Sequence, residues 1–209
     1  MIKLARNCLM AAAIALLFSA RAPVSAQEPY YQGKTIRLIV GTAAGGGFDT
    51  YSRVIARHMG RHVPGNPTIV VENMPGAAHL IAANHIYKVA KPDGLTMGNF
   101  TGGLFLGQVL GRPGVEFDAR KFHYLGARAR DLSICALRKK SGVPNLQQWQ
   151  TSKNVVKIGS IGPGDFTYEV PKVAGYALNL PMQVVAGYKG TAEIRLAVEN
   201  GEVDGVCMD

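Results

Sequence analysis

With 209 residues, the chain is long enough for one large domain or two small ones with a sizeable core. Its net charge of +9 at pH 7 is not accompanied by an aromatic-basic motif, zinc-finger spacing or a basic run, which argues against a nucleic-acid partner. A basic protein of this kind suits anionic ligands, or it adheres to polyanions of the cell envelope.

The first 26 residues have the pattern of a secretory signal peptide. Lys3 and Arg6 precede a short apolar run at 8–20, and residues 24–26 (VSA) fit the small-residue cleavage pattern before Gln27. The apolar run is too short to span a membrane comfortably. We therefore expect a soluble protein exported to the periplasm, with a net charge of +6 after three basic residues leave with the leader.

Residues 35–62 form the most informative stretch of the sequence. A β-branched run at 35–40 predicts a buried parallel strand, and a glycine-rich turn follows at 41–47. From residue 48 to about 62 the spacing is helical, with the predicted inward face formed by Phe48, Tyr51, Val54, Ile55 and Met59. A strand, a glycine turn and a helix N-terminus together favour an anion site. A tight turn without a ligand is the alternative.

The same unit then repeats along the chain. A strand at 68–72, a turn at 73–76, a helix at 77–90 and a strand at 95–100 predict a parallel sheet covered by helices. Further strands are predicted at 124–129, 132–137, 155–159, 182–185 and 203–208, and helices at 144–151, 167–178 and 191–200. Because an α/β domain rarely ends on a central strand, we expect the sequence to be truncated at its C-terminus.

Two cysteines remain once Cys8 has left with the leader. Cys135 and Cys207 both lie in apolar, strand-like runs. The exported location permits a disulfide between them, but two buried free thiols are favoured, because free cysteine is commonly buried.

Seven short motifs, in order along the chain, resemble those of the extracytoplasmic solute receptors of tripartite tricarboxylate transporters, the Bug (TctC) family. They are found at residues 31–36 (YQGKTI), 45–49 (GGGFD), 71–77 (VENMPGA), 92–94 (PDG), 158–160 (IGS), 187–190 (GYKG) and 201–205 (GEVDG). The chain departs from the family at 41–44, where prolines are usual, and at 78–79, where glycines are common.

The resemblance implies an α/β fold of the periplasmic-binding-protein type, a Venus flytrap with two lobes of mainly parallel sheet. Lobe one would comprise residues 27–122 and lobe two residues 123–209, with the C-terminal return to lobe one missing. Receptors of this family bind a small carboxylate between the lobes and deliver it to a membrane permease. The resemblance thus implies a periplasmic monomer that is not an enzyme and has no cofactor or metal.

The predicted ligand site combines turns from both lobes. In lobe one, two helix N-termini at the carboxyl ends of parallel strands could clamp one carboxylate through backbone N–H groups. Capping is the favoured role of Asp49, and Lys189 is either a counter-charge or a solvated lysine. The candidate residues are Ala44, Gly45, Gly46, Phe48, Asp49, Asn73, Pro75, Gly76, Ala77, His79, Ser160, Gly162, Asp165, Phe166, Tyr188, Lys189 and Thr191.

Three alternative readings are open. Gly41, Ala43 and Gly46 imitate a dinucleotide-binding turn, and Glu72 stands where a ribose-binding acid would be, which would make the protein an oxidoreductase. A non-functional fragment is a second alternative. His58 and His62 have the spacing of a metal pair, but a third ligand is not evident nearby.

Overall fold

The computed structural model describes residues 28–127 and 132–208, so the predicted leader at 1–26 lies outside the described residues. Within them, strands and helices alternate and the strands form two separate sheets. The strands are β1 (Thr35–Val40), β2 (Thr68–Asn73), β3 (Thr96–Asn99), β4 (Ile134–Leu137), β5 (Val156–Ser160), β6 (Met182–Ala186) and β7 (Gly205–Met208). The α-helices are α1 (Gly47–Met59), α2 (Leu80–Lys88), α3 (Gly103–Val109), α4 (Leu146–Gln150), α5 (Phe166–Leu178) and α6 (Thr191–Asn200).

The first sheet is parallel throughout, with the strand order β2-β1-β3. Leu38 on the central strand stands opposite Val71 on β2 and Met97 on β3. Ile39 and Val40 are fully buried, as expected for a central strand of a parallel sheet covered on both faces. Because parallel strands end at one edge of the sheet, the turns after β1 and β2 lie side by side there.

The second sheet has the order β4-β7-β5-β6 and is mixed. β5 pairs in parallel with β6 and β7, whereas the edge strand β4 runs antiparallel to β7. The predicted α/β fold with mainly parallel sheets is therefore confirmed. We call β1–β3 with α1–α3 the first lobe, and β4–β7 with α4–α6 the second lobe. None of the helices in the described ranges has the length and hydrophobicity needed to cross a bilayer.

Each lobe has an apolar core, and a third cluster joins the two lobes. The first-lobe cluster consists of Leu80, Ala83, Leu104 and Phe117. The main second-lobe cluster consists of Trp149, Val156, Ile158, Leu180 and Cys207. The third cluster packs Ala78, from the turn after β2, against Ile161, Ile194 and Val206 of the second lobe. The turn after β2 is thus part of the second lobe's packing.

The predicted inward face of α1 is wrong in part. Val54 and Ile55 are 42% and 37% exposed, whereas Asp49 and Ser52 are the buried residues of this helix. The reason is that α1 contacts the polar ends of the strands. The Asn99 amide at the end of β3 donates to the Ser52 hydroxyl over 2.6 Å, and its oxygen accepts from the Tyr51 hydroxyl at 3.1 Å.

Other elements also differ from the prediction. Helix α2 begins at Leu80 rather than at residue 77, because residues 77–79 have the positive φ angles of the left-handed region and cannot form part of a right-handed helix. Residues 124–127 form no strand, and residues 128–129 of that predicted strand lie outside the described part. The Tyr124 ring instead packs edge-on against Phe105. Helix α3 was not predicted, because glycines at 103 and 107 weaken the helical signal.

Cys135 and Cys207 form a disulfide, so the expectation of two buried thiols is wrong. The antiparallel pairing of β4 with β7 places the two residues directly opposite each other, with Cα atoms 4.0 Å apart. Cys207 is fully buried, whereas Cys135 lies on the exposed edge strand. The bond ties the edge strand to the centre of the second sheet.

Candidate functional site

The two lobes meet at the turns that follow their strands. In the turn after β1, the Ala43 N–H donates to the Lys189 carbonyl over 2.9 Å, and the Gly47 N–H donates to Thr191 Oγ1 over 3.2 Å. A Cβ atom at Gly46 would lie 3.0 Å from Thr191 Oγ1, so glycine allows this close approach. The first glycine turn therefore packs on the N-terminus of α6, across the lobe boundary.

Asp49 organises the same turn from within. Its side chain is 5% exposed and accepts hydrogen bonds from the Gly45 N–H at 2.9 Å and from the Asn73 amide at 3.0 Å. Arg53, one helical turn later, forms an ion pair with it at 2.9 Å. Burial alone would raise the pKa of Asp49, but the hydrogen bonds from Arg53, Gly45 and Asn73 outweigh it and lower that pKa. Asp49 therefore holds the turn before α1, but its backbone donor, Gly45, precedes the N-cap Gly46, so this contact does not cap the helix itself.

The turn after β2 has an unusual left-handed course. Ala77, Ala78 and His79 have φ angles of 47°, 53° and 70°, and the Leu80 N–H closes the turn on the Ala77 carbonyl at 3.3 Å. Residues other than glycine, asparagine, aspartate and histidine rarely adopt this conformation, because Cβ crowds the following carbonyl. From this turn, the His79 side chain reaches Asp165 of the second lobe.

His79 and Asp165 form a pair between the lobes, and both side chains are fully buried. The two residues are joined by Nε2 and Oδ2 at 3.0 Å. Asp165 also caps α5 by accepting from the Thr167 N–H at 2.8 Å. The His79 ring packs at a tilt against Phe48, with 4.8 Å between centroids, and lies so close to Gly41 that a Cβ there would collide with it.

A cavity of about 350 Å³ lies beside this pair, between the turns of both lobes. Ligand pockets have volumes of about 300–1,000 Å³, so this cavity is at the small end of the range. Its walls are formed by the turn after β2, by the turns after β5 and β6, and by one side chain from beyond α3. The lining residues are Gly76, Ala77, Ala78, Arg112, Ile161, Gly162, Pro163, Ala186, Gly187, Tyr188 and Lys189. Two of them are cations and none is an acid.

Arg112 is a charged lining residue that the sequence did not indicate, because no motif marks the loop after α3 in which it lies. Its Nη2 donates to the Ala77 carbonyl at 3.3 Å, while Nη1 is buried without a hydrogen-bond partner. The guanidinium lies against the backbone at Gly164, where a Cβ atom would collide with Nη1. In the described part of the chain, no carboxylate lies within ion-pair distance of Arg112.

Tyr188 and Lys189 present different groups to the cavity. The Tyr188 hydroxyl donates to Glu202 at 2.7 Å, and burial together with this carboxylate raises the pKa of Tyr188 to about 12. Tyr188 therefore offers ring surface rather than a free hydroxyl. Lys189 is exposed, its backbone N–H donates to Glu193 at 2.8 Å, and it is the second basic residue of the lining.

The candidate residues from the sequence fall into three groups. Gly76, Ala77, Gly162, Tyr188 and Lys189 line the cavity. A second group forms contacts within the first glycine turn and across the lobe boundary beside the cavity: Gly45, Gly46, Phe48, Asp49, Asn73, His79, Asp165 and Thr191. Ala44, Pro75, Ser160 and Phe166 do not line the cavity. Ser160 instead accepts from the Thr167 hydroxyl at 3.4 Å. The N–H groups of Ala43, Gly45 and Gly47, which a carboxylate clamp at the first turn would need, have partners within the protein.

The geometry gives little support to the hypothesis of a dinucleotide-binding oxidoreductase. The Glu72 carboxylate, the proposed ribose ligand, is held by Arg37 through two hydrogen bonds of 2.8 and 2.6 Å. These hydrogen bonds from Arg37 lower the pKa of Glu72. His62 accepts from its neighbour Arg61 at 3.2 Å, and no group of three metal-binding side chains occurs within residues 28–127 and 132–208.

Comparison with known proteins supports the same fold. No protein-family model matches the chain. The chain is 27% identical over 208 residues to the UPF0065 protein in the gbd 5' region of Cupriavidus necator. The alignment covers 94% of this chain and 60% of that protein.

Several solved structures are similar to the chain in three dimensions, MatC and BugD among them. MatC from Rhodopseudomonas palustris with bound malate has a TM-score of 0.72 at 23% identity, covering 83% of this chain and 60% of MatC. The periplasmic binding protein BugD has a TM-score of 0.66 at 19% identity, covering 85% of this chain and 59% of BugD. The chain spans about 60% of the length of each of these three proteins. The matches confirm the resemblance to Bug-type proteins and the periplasmic-binding-protein fold.

Proposed function

We propose that this chain is an extracytoplasmic solute receptor of the Bug type, which binds a small carboxylate in the cavity between its two lobes. One observation carries this proposal: the cavity is lined by Arg112 and Lys189 and by no acidic residue. A cationic cavity of this size suits a small anion. That MatC, a protein of the same fold, holds malate makes a dicarboxylate the first candidate.

The wider role follows the same analogy. The receptor would be exported by the leader at 1–26, act in the periplasm as a monomer, and pass its ligand to the membrane permease of a tripartite tricarboxylate-type transporter. Binding and release would be its whole activity, without catalysis. The UPF0065 relative and the fold shared with BugD support this assignment.

Calorimetric titration of the full chain tests the proposal. Succinate, malate and adipate are the probes, and their diamides, which have the same length but no charge, are the controls. We expect saturable 1:1 binding of at least one dicarboxylate, weakened by salt, and no heat from its diamide. Absence of binding by all three acids would contradict the carboxylate function. Binding of a nicotinamide dinucleotide in their place would favour the oxidoreductase alternative.

A further inference from the structure

We infer that Arg112 is the residue that recognises ligand charge, and that the ligand is a dianion with one carboxylate on Arg112 and the other on Lys189. This inference rests on the proposed function and names the residues and the ligand class of the same cavity. It begins from the Nη1 group of Arg112, which is buried and has no hydrogen-bond partner. A buried N–H donor without a partner costs free energy, so Arg112 gains a favourable contact if a ligand in the cavity draws its guanidinium onto an acceptor.

The surroundings of Arg112 fix the direction of its guanidinium. The stem of the side chain packs against α3, where a Cβ atom at Gly107 would lie 3.3 Å from Cδ. At the other end, the Ala77 carbonyl accepts from Nη2, and the backbone at Gly164 lies against Nη1. One guanidinium thus touches a turn of the first lobe and a turn of the second. A carboxylate bound to it would contact a group already positioned by both lobes.

The acids around Arg112 pair with other groups. Glu116 and Asp118, the nearest in sequence, form ion pairs with Lys88 and Arg120. Asp165 is paired with His79 and caps α5, and Glu169 accepts from the Gly164 N–H at 2.8 Å. The positive charge of Arg112 therefore has no internal counter-charge among the described residues. An arginine fork matches the two oxygens of a carboxylate, and such charge-assisted bonds are about twice as strong as neutral ones.

Lys189 supplies the second charge of the cavity wall. Its backbone is fixed by bonds to Ala43 and Glu193, whereas its flexible side chain is free to follow ligands of different length. With two cations and no acid on the wall, a ligand with two carboxylates satisfies the charges better than one with a single carboxylate. The predicted preference is for short dicarboxylates over their monoamides.

The test compares a dicarboxylate with its own monoamide. Kd values are measured by calorimetry for the dicarboxylate that the parent binds best, chosen from succinate, malate and adipate, and for the corresponding monoamide. We expect the parent to prefer the dicarboxylate by at least about tenfold, equivalent to about 1.4 kcal/mol. In Arg112→Gln this preference should fall to about twofold or less, because either ligand then pairs only one carboxylate. Arg57→Gln removes an exposed charge from α1 and should leave both Kd values unchanged.

A second measurement requires no variant. Phenylglyoxal modifies arginines that are at least partly accessible, which includes the half-buried Arg112, and peptide mass spectrometry reports the extent at each site. The bound dicarboxylate should slow modification of Arg112 severalfold while that of Arg57 stays the same. Equal weakening of both ligands in Arg112→Gln, or no protection of Arg112, would overturn the inference and leave the carboxylate function intact. If the parent binds no carboxylate, the proposed function and this inference both fail.

Discussion

At the scale of single residues, Asp49 shows how a polar group becomes part of a core. Its carboxylate is buried in the first turn of α1 and accepts hydrogen bonds from a backbone N–H, an amide and a guanidinium. These donors replace the water that burial removes, which is the condition for burying a charge without a large cost. Asp49 thereby fixes the glycine turn from the first lobe, while Thr191 contacts the same turn from the second.

Replacing Asp49 with alanine should destabilise the protein by about 1.5–3 kcal/mol at neutral pH, because three donors lose a charged acceptor. The folded pKa of Asp49 is lowered, so its contribution is full above the unfolded pKa and is lost as pH falls through the folded pKa. The gap between parent and variant should therefore close below about pH 4. Urea unfolding, monitored by circular dichroism at several pH values from neutral to acid, measures this difference in the free energy of unfolding.

The control for Asp49 is Glu199→Gln, which removes an exposed acid from the last turn of α6. It should change the free energy of unfolding by less than about 0.5 kcal/mol. A gap between parent and Asp49→Ala that stays constant with pH would show that packing, rather than the carboxylate charge, accounts for the effect.

At the scale of elements, the turn after β2 determines where α2 begins and where His79 points. Three successive non-glycine residues in the left-handed region are strained, because each Cβ crowds the backbone. Packing compensates for part of this strain, since Ala78 joins the core cluster of the second lobe and His79 reaches Asp165. Ala77 is exposed and has no such compensation from its side chain.

Ala77→Gly should therefore stabilise the protein by up to about 1 kcal/mol. Relief of the positive φ, about 1–2 kcal/mol, exceeds the entropy that glycine adds to the unfolded chain. The same exchange in a right-handed helix has the opposite sign, so Ala56→Gly in α1 should cost about 1 kcal/mol. Thermal and urea unfolding of the two variants gives the comparison. Destabilisation by Ala77→Gly would show that the methyl group at this position stabilises the turn.

The sequence predicted regular elements well and the contacts between them poorly. The strand at Thr35–Val40 and the helix at Thr191–Asn200 have their predicted bounds, because hydrophobic periodicity and glycine stops are local signals. The left-handed turn was missed, because its residues are alanine and histidine rather than glycine. The pairing of Cys135 with Cys207, 72 residues apart, depends on β4 running antiparallel to β7, which no local pattern encodes.

At the scale of the whole molecule, the two lobes are joined by contacts of different kinds. Hydrogen bonds from the Ala43 and Gly47 N–H groups connect the turn after β1 to the start of α6, apolar contacts surround Ala78, and one buried polar pair links His79 to Asp165. The polar pair depends most strongly on exact lobe placement, because a buried hydrogen bond is lost within a small displacement. A shift of one lobe would leave the His79 Nε2 without its partner, whereas Asp165 would keep its bond from the Thr167 N–H. We therefore expect this pair to fix the relative position of the lobes and, with it, the shape of the cavity.

A double-mutant cycle of His79→Leu and Asp165→Asn tests this expectation. Asparagine still caps helices well, so Asp165→Asn should mainly affect the bond to His79. His79→Leu also changes the strained turn, but that cost is common to the single and double variants and cancels in the cycle. We expect a coupling energy of about 1–3 kcal/mol from urea unfolding, with the double variant less destabilised than the sum of the singles. A cycle of His79→Leu with Asp204→Asn, whose carboxylate pairs with Arg138 and has no partner in common with His79, should be additive within about 0.5 kcal/mol. Additivity in the first cycle as well would mean that the backbone contacts of the first turn and the cluster around Ala78 position the lobes without the buried pair.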